Sequence, residues 1–164
     1  MNYVFDIDNF DILNQLIFDA SVEYENIITS LDKNPLILEL ERRTFENVTR
    51  TKRLFGTTTH YHGRRSELCV FGLKQATIKS TDDRFKDNHF INGITVNQDS
   101  NVARLTTSFG LELILEFDKK LAIKLIDRGH SKFGEGSSLG KHGFTKDEWE
   151  KYLKEKKYPP QYYQ

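Results

Sequence analysis

Apolar residues recur along this chain with two spacings. Phe10, Leu13 and Ile17 fall at i, i+3 and i+7, one stripe of an α-helix. Asp8 stands where it would cap that helix, with Asp11 at the third helical position. After Phe18 the spacing drops to two. Val22, Tyr24 and Ile28 alternate with polar or smaller neighbours, and Asp32-Lys33-Asn34-Pro35 signals a turn. Leu36, Leu38 and Leu40 then share one face, with Glu39 and Glu41 on the other, so residues 22–41 are expected to form a hairpin.

Residues 43–65 hold β-branched residues but few core candidates, which fits an exposed extended hairpin or a long loop. Leu68-Cys69-Val70-Phe71 reads as a short buried strand and Ala76–Lys79 as another, followed by a charged loop over 80–88. His89–Val96 and Val102–Ser108 read as strands joined by a turn at 97–101, with a further turn at Phe109-Gly110. Leu111, Leu113, Leu115 and Phe117 alternate with Glu112 and Glu116, Asp118-Lys119-Lys120 turns the chain, and Leu121, Ile123 and Leu125 alternate again, which predicts a meander.

Glycines at 129, 134, 136, 140 and 143 predict a flexible loop over 129–143. Thr145 and Glu148 then fit a capping box, and Phe144 with Trp149 a hydrophobic staple, so a helix starts there and runs out near Lys157, before Pro159-Pro160. The tail 158–164 is expected to fray. The fold class that follows is α+β in a single domain over 1–164. It consists of a mainly antiparallel sheet of about six to eight strands, with a meander in the C-terminal half and a short helix near each end.

Composition narrows the function classes. The single cysteine, Cys69, excludes a disulfide framework and a finger-type zinc site. The first residues, Met1 to Asp6, lack the basic and apolar regions of a signal peptide, and no stretch reaches the ~18 apolar residues of a membrane helix. A cytoplasmic protein with no membrane partner is expected. The net charge is zero, so bulk attraction to nucleic acid is not expected. The charge is segregated, however: residues 1–41 carry nine acids and one base, and residues 42–65 seven bases and one acid.

Four constellations bear on chemistry. His60 and His62 would share one face of a strand and could reach one metal, given a third ligand such as His89, His130 or a carboxylate. The alternative is two exposed histidines on a polar hairpin. Gly134–His142 invites comparison with a phosphate-binding loop, but Glu135 stands where that motif needs glycine and His142 where it needs serine or threonine. A basic cluster, Arg42, Arg43, Arg50, Lys52, Arg53, Arg64 and Arg65, is interleaved with Phe45, Phe55 and Tyr61. Charge balanced within the fold ranks first for it, an acidic protein partner second and nucleic acid last. Pro159-Pro160-Gln161-Tyr162 matches the Pro-Pro-x-Tyr pattern read by WW domains, with a frayed terminus as the plain alternative. No nucleophile elbow is present, and Cys69 in a buried strand reads as packing.

The segments Phe18-Asp19-Ala20-Ser21-Val22, Val70-Phe71-Gly72-Leu73 and Thr106–Leu113, in that order, resemble small β-rich immunity proteins of polymorphic toxin systems. Those families often show Phe-His-Asp-Ala/Ser before an apolar strand, and the histidine is missing here. The resemblance implies a protein that binds and blocks a toxin, with no catalytic residue and no cofactor. The expected function is a non-catalytic protein-binding module, with Arg50, Lys52, Arg53, Tyr61, Arg64 and Arg65 as partner-binding residues. The alternatives are a metal-dependent enzyme using His60 and His62, or a nucleic-acid binder using 42–65.

Overall fold

In the computed structural model, residues 2–80 and 87–158 are described. The strands are β1 (Asn2–Phe5), β2 (Ser21–Glu23), β3 (Leu36–Arg53), β4 (Gly56–Ser80), β5 (Asn88–Asn97), β6 (Val102–Thr107) and β7 (Leu111–Leu139), and the α-helices are α1 (Phe10–Ile17), α2 (Tyr24–Ser30) and α3 (Lys146–Glu155). One antiparallel sheet runs in the order β1-β7-β4-β3-β2-β5-β6, and β6 also pairs with β7. Strands β7, β4, β3, β2, β5 and β6 therefore close into a ring. β6 occupies residues 112–116 of one edge of β7, and β1 takes residues 123–126.

Alternation makes the interior. Leu36, Leu38 and Leu40 of β3, Leu68 and Val70 of β4, and Leu111, Leu113, Leu115, Leu121, Ile123 and Leu125 of β7 point inward and are buried. α1 buries Phe10, Ile12, Leu13, Leu16 and Ile17 against them. It starts after a 3-10 turn at Ile7–Asn9, so Asn9 rather than Asp8 holds the N-cap position, without a side-chain capping bond. Where β2 ends, the side-chain amide of Asn14 continues the ladder on the open edge of β5. Its Nδ2 donates to Ile94 O at 2.9 Å, and its Oδ1 accepts from Ile94 N at 2.7 Å. Asn14→Ala leaves both backbone groups without that partner, and a loss of about 2 kcal/mol in a urea titration is the expected result.

The helix at the C-terminal end forms as the sequence predicts. Thr145 and Glu148 make the reciprocal capping box, and the Phe144 and Trp149 rings lie 5.4 Å apart. Trp149 and Leu153 are buried, and the Tyr158 hydroxyl donates to Val4 O.

Three expectations are corrected. Residues 24–30 form helix α2, not the rest of a strand; β2 pairs with β3 only at Ser21↔Glu41 and Val22↔Leu40. Tyr24, Ile27 and Leu31 also carry the i, i+3, i+7 spacing, and Ser30 Oγ bonding Ile37 O anchors the helix on β3. Asp118-Lys119-Lys120 is a bulge within β7, not a reversal: Phe71 pairs with Ala122 and Leu73 with Phe117, so four residues of β7 are spanned opposite Gly72 alone. Gly72 has φ 84°, and a Cβ there would lie 2.1 Å from Lys120 O. The bulge bends β7, and its edge passes from β6 to β1 at this point. Finally, the glycine-rich segment is strand as far as Leu139, because β4 supplies a ladder from Arg65↔Gly129 to Thr58↔Leu139 that outweighs the poor strand propensity of glycine. Of the two options for 43–65, the structure has the hairpin. The Pro-Pro-x-Tyr segment lies outside the described residues, as does most of the 80–88 loop.

Candidate docking surface

Beyond the ring, β3, β4 and β7 continue together as a three-stranded arm. β4 pairs with β3 as far as Arg53↔Gly56, leaving Leu54-Phe55 as the two-residue connection at the far end. Such turns normally select Asn, Asp or Gly for their backbone angles. Here Leu54 is 91% and Phe55 96% exposed, and Leu139, paired beside them with Thr58, is 80% exposed. Among the described residues, these three side chains lie outside the hydrophobic core. Lys52, Arg53 and Lys141 are exposed around them, and no carboxylate occurs between Glu46 and Glu67. The tip is an apolar point within a cationic collar.

Halfway along the arm, Tyr61 sits between two bulges. β3 inserts residues between Thr44 and Thr49, and β7 between Ser131 and Gly136. The Arg43 guanidinium lies 4.8 Å over the Tyr61 ring, Phe45 meets it edge-on at 5.8 Å, and its hydroxyl bonds Ser138 Oγ at 3.1 Å. Arg50 fastens the arm to the start of α3. It bonds Glu148 and donates to Gly143 O at 2.8 Å, and its hydrogen bond is the main reason the Glu148 carboxyl is held below its ordinary range.

At the root of the arm lies an ionic cluster around Arg42, whose side chain is 0% exposed. Its Nη2 donates to Glu46 Oε1 at 2.7 Å and Asp127 Oδ1 at 2.9 Å, its Nε to Ser66 Oγ at 3.1 Å, and Ser66 Oγ donates onward to Asp127 at 2.8 Å. Burial alone would lower the Arg42 pKa; the Glu46 and Asp127 charges hold it above its ordinary value. Burial alone would raise Asp127; the Arg42 charge and the bonds from Ser66 and Arg42 hold it below the ordinary carboxylate range. Near them, the Tyr3 phenol is pushed up, first by burial and then by the Glu46 charge.

The six residues expected to bind a partner are dispersed. Lys52 and Arg53 stand together at the tip. Arg50 and Tyr61 are engaged inside the arm. Arg64 lines a cavity of about 300 Å³ with Glu46, Asn47 and Asp127. Arg65 lines another of about 460 Å³ with Glu23, Glu39, Glu41 and Glu67, its Nε 3.7 Å from Glu41. Leu54, Phe55 and Leu139 were not among the expected site residues. The signal for the first two was an apolar pair set between Thr49–Arg53 and Gly56 in a stretch otherwise poor in core residues.

His60 and His62 do share one face, as the strand period requires, and their Nε2 atoms meet the hydroxyls of Thr51 and Thr49 at 3.3 and 2.8 Å. Among the described residues no group of three His, Cys, Asp or Glu side chains is placed to hold a metal ion. Cys69 is buried, and burial pushes its thiol up, away from the reactive thiolate. No helix of the described chain is long and apolar enough to cross a membrane. The chain matches no protein-family model, no curated protein and no solved structure.

Proposed function

We propose that this chain is a non-catalytic protein-binding module of the immunity or inhibitor type, which engages a partner protein with the tip of its arm. The observation that carries the reading is the Leu54-Phe55 pair, exposed at a turn whose backbone has no use for it. Large apolar side chains at the centre of a contact supply most of its binding energy, while surrounding charges set encounter rate and partner choice. The collar of Lys52, Arg53 and Lys141 selects a partner with an apolar pocket rimmed by carboxylates. Three hydrogen-bonded strands hold the tip, so little ordering entropy is lost on docking.

The test is affinity capture from the native host, with the wild type and Leu54→Ser/Phe55→Ser compared side by side. One stoichiometric protein is expected with the wild type. Its affinity for the variant should fall at least ~30-fold, the size of a hot-spot loss. For an immunity-type role, co-expression with the captured protein should relieve growth inhibition only for the wild type. Equal capture by both proteins, or capture of nothing by the wild type, overturns the reading.

A further inference from the structure

We infer that the chain also binds a guanidinium-bearing ligand, in a cleft of about 460 Å³ on the outer face of the sheet beside α2. The strand register builds this cleft. Asn88 of β5 pairs with Glu23 of β2, and Glu39 of β3 pairs with Glu67 of β4. Glu23 follows Val22, whose partner is Leu40, so the antiparallel order carries it beside Glu39. Three carboxylates therefore stand in one row across three neighbouring strands, about 5 Å apart from strand to strand. Like charges directly opposite one another are destabilising, so this row by itself weakens the sheet.

The cations of the cleft match only part of its negative charge. Four carboxylates line it, those of Glu23, Glu39, Glu41 and Glu67, against the two guanidiniums of Arg65 and Arg128. Arg128 Nη2 lies 2.6 Å from Glu67 Oε2, and Arg65 Nε lies 3.7 Å from Glu41 Oε1. Among the described residues Glu23 and Glu39 make no ion pair, so two adjacent carboxylates are left over. A second observation lies at the floor. Ser21 is 6% exposed, and its hydroxyl makes no hydrogen bond among the described residues. Its register partner is Glu41, so its side chain shares the outer face and points into the cleft. It stands two residues before Glu23, roughly 7 Å along the strand.

The acceptor set chooses the cation. Among the described residues no three His, Cys, Asp or Glu side chains are placed to hold a metal ion, and the cleft is far larger than one ion. An ammonium is a compact charge that donates from one point, whereas a guanidinium is a planar fork of five N–H donors. The fork can engage the Glu23 and Glu39 carboxylates together and still turn an N–H toward the Ser21 hydroxyl. It is also the more weakly hydrated of the two cations, which lowers the cost of entering a cleft. The group arrives on a free small molecule or on an arginine of a peptide, and the cleft meets the same chemistry in both. It lies near the start of β3, whereas Leu54 and Phe55 follow its end, so this site is separate from the tip that carries the proposed function.

Binding is read by titrating the full chain at low ionic strength with butylguanidine, and separately with butylamine, while following backbone amide shifts by NMR. Saturable shifts at Ser21, Glu23 and Glu39 are expected with butylguanidine, and affinity at least ~5-fold lower with butylamine. Glu23→Gln/Glu39→Gln should weaken butylguanidine at least ~10-fold; both side chains are exposed, so the variant keeps its fold. Ser21→Ala should weaken it ~3-fold or more, through a hydroxyl that bonds nothing in the fold. Arg128→Gln should act in the opposite direction and tighten it, because Glu67 is released. Acetyl-Gly-Arg-Gly-amide distinguishes the sources: tighter binding than butylguanidine assigns the site to an arginine carried by a peptide, and weaker binding to a free small molecule. No saturable shifts in the wild type, equal affinity for butylamine, or binding indifferent to the Glu23/Glu39 change overturns the inference. Its failure is separable from that of the proposed function, since Leu54→Ser/Phe55→Ser should bind butylguanidine as the wild type does, and partner capture through the tip does not depend on the cleft.

Discussion

Replacing Arg42 by methionine should cost about 3 kcal/mol of folding stability, because it leaves the buried Glu46 carboxylate and the half-buried Asp127 carboxylate without the guanidinium between them. Glu46 is 1% exposed, and among the described residues its second oxygen, Oε2, has no hydrogen-bond partner. The loss should appear as a lower midpoint in urea with an unchanged slope. Replacing the group as a unit, Arg42→Met with Glu46→Leu and Asp127→Leu, should recover most of it, since no charge is then left buried alone. Were the single variant as stable as the wild type, the cluster would not be the electrostatic lock described here.

The same cluster fixes an acid limb. The folded-state pKa of Asp127 lies below its ordinary value. Its contribution is therefore complete above the unfolded pKa, ~3.9, and disappears as the pH falls through the folded value. The wild type should lose stability below about pH 4, and Asp127→Asn, already weakened at neutral pH, should show a flatter decline.

How much of this was legible in the sequence depends on where the information sits. α3 was legible because its signals are local: Thr145, Glu148, Phe144 and Trp149 lie within six positions and specify their own contacts. The β5–β6–β7 meander was legible for the same reason, since short turns join strands of clear period. Asp118-Lys119-Lys120 misled because three polar residues interrupting an alternating pattern mark a reversal and a bulge equally, and the partner that decides, Gly72, lies far away in the chain. Residues 24–30 satisfy both the strand and the helix period in part, and the helix packs Tyr24, Ile27 and Leu31 on the core and bonds Ser30 to Ile37, contacts that lie outside the segment.

The site shows the same limit. Basic residues of 42–65 read as one cluster along the chain, but β3 and β4 point alternate side chains to opposite faces. Arg42 therefore enters the core, Arg50 reaches α3 and Arg65 faces Glu41, and the tip retains only Lys52 and Arg53. The cavities lined by Phe18, Phe45 and Phe144 and by Phe45, Phe90 and Phe133 were not legible at all, because these side chains come from segments far apart in the chain.

Gly63→Ala should destabilise the chain by about 3 kcal/mol, the upper end for overpacking, because the obstacle is backbone that has nowhere to go. A Cβ at Gly63 would fall 2.1 Å from Phe133 O and 2.2 Å from Ser131 O. Both oxygens belong to the β7 bulge that crosses β4 beside Tyr61, so neither can rotate away as a side chain would. Gly129→Ala is the matched control on the same arm. A Cβ there has nothing within 4 Å, so the change should be neutral or stabilise by up to about 1 kcal/mol through the unfolded chain. The pair separates glycine as close-approach residue from glycine as loop former. If the 129–143 segment behaved as the flexible loop its composition suggests, both substitutions would be tolerated alike. A large loss at Gly63 with none at Gly129 means that β7 is locked onto β4 along the arm. That lock is what lets Leu54 and Phe55 be presented at a fixed distance from the core, so the Gly63 variant should also weaken every contact made by the tip while its exposed side chains remain unchanged.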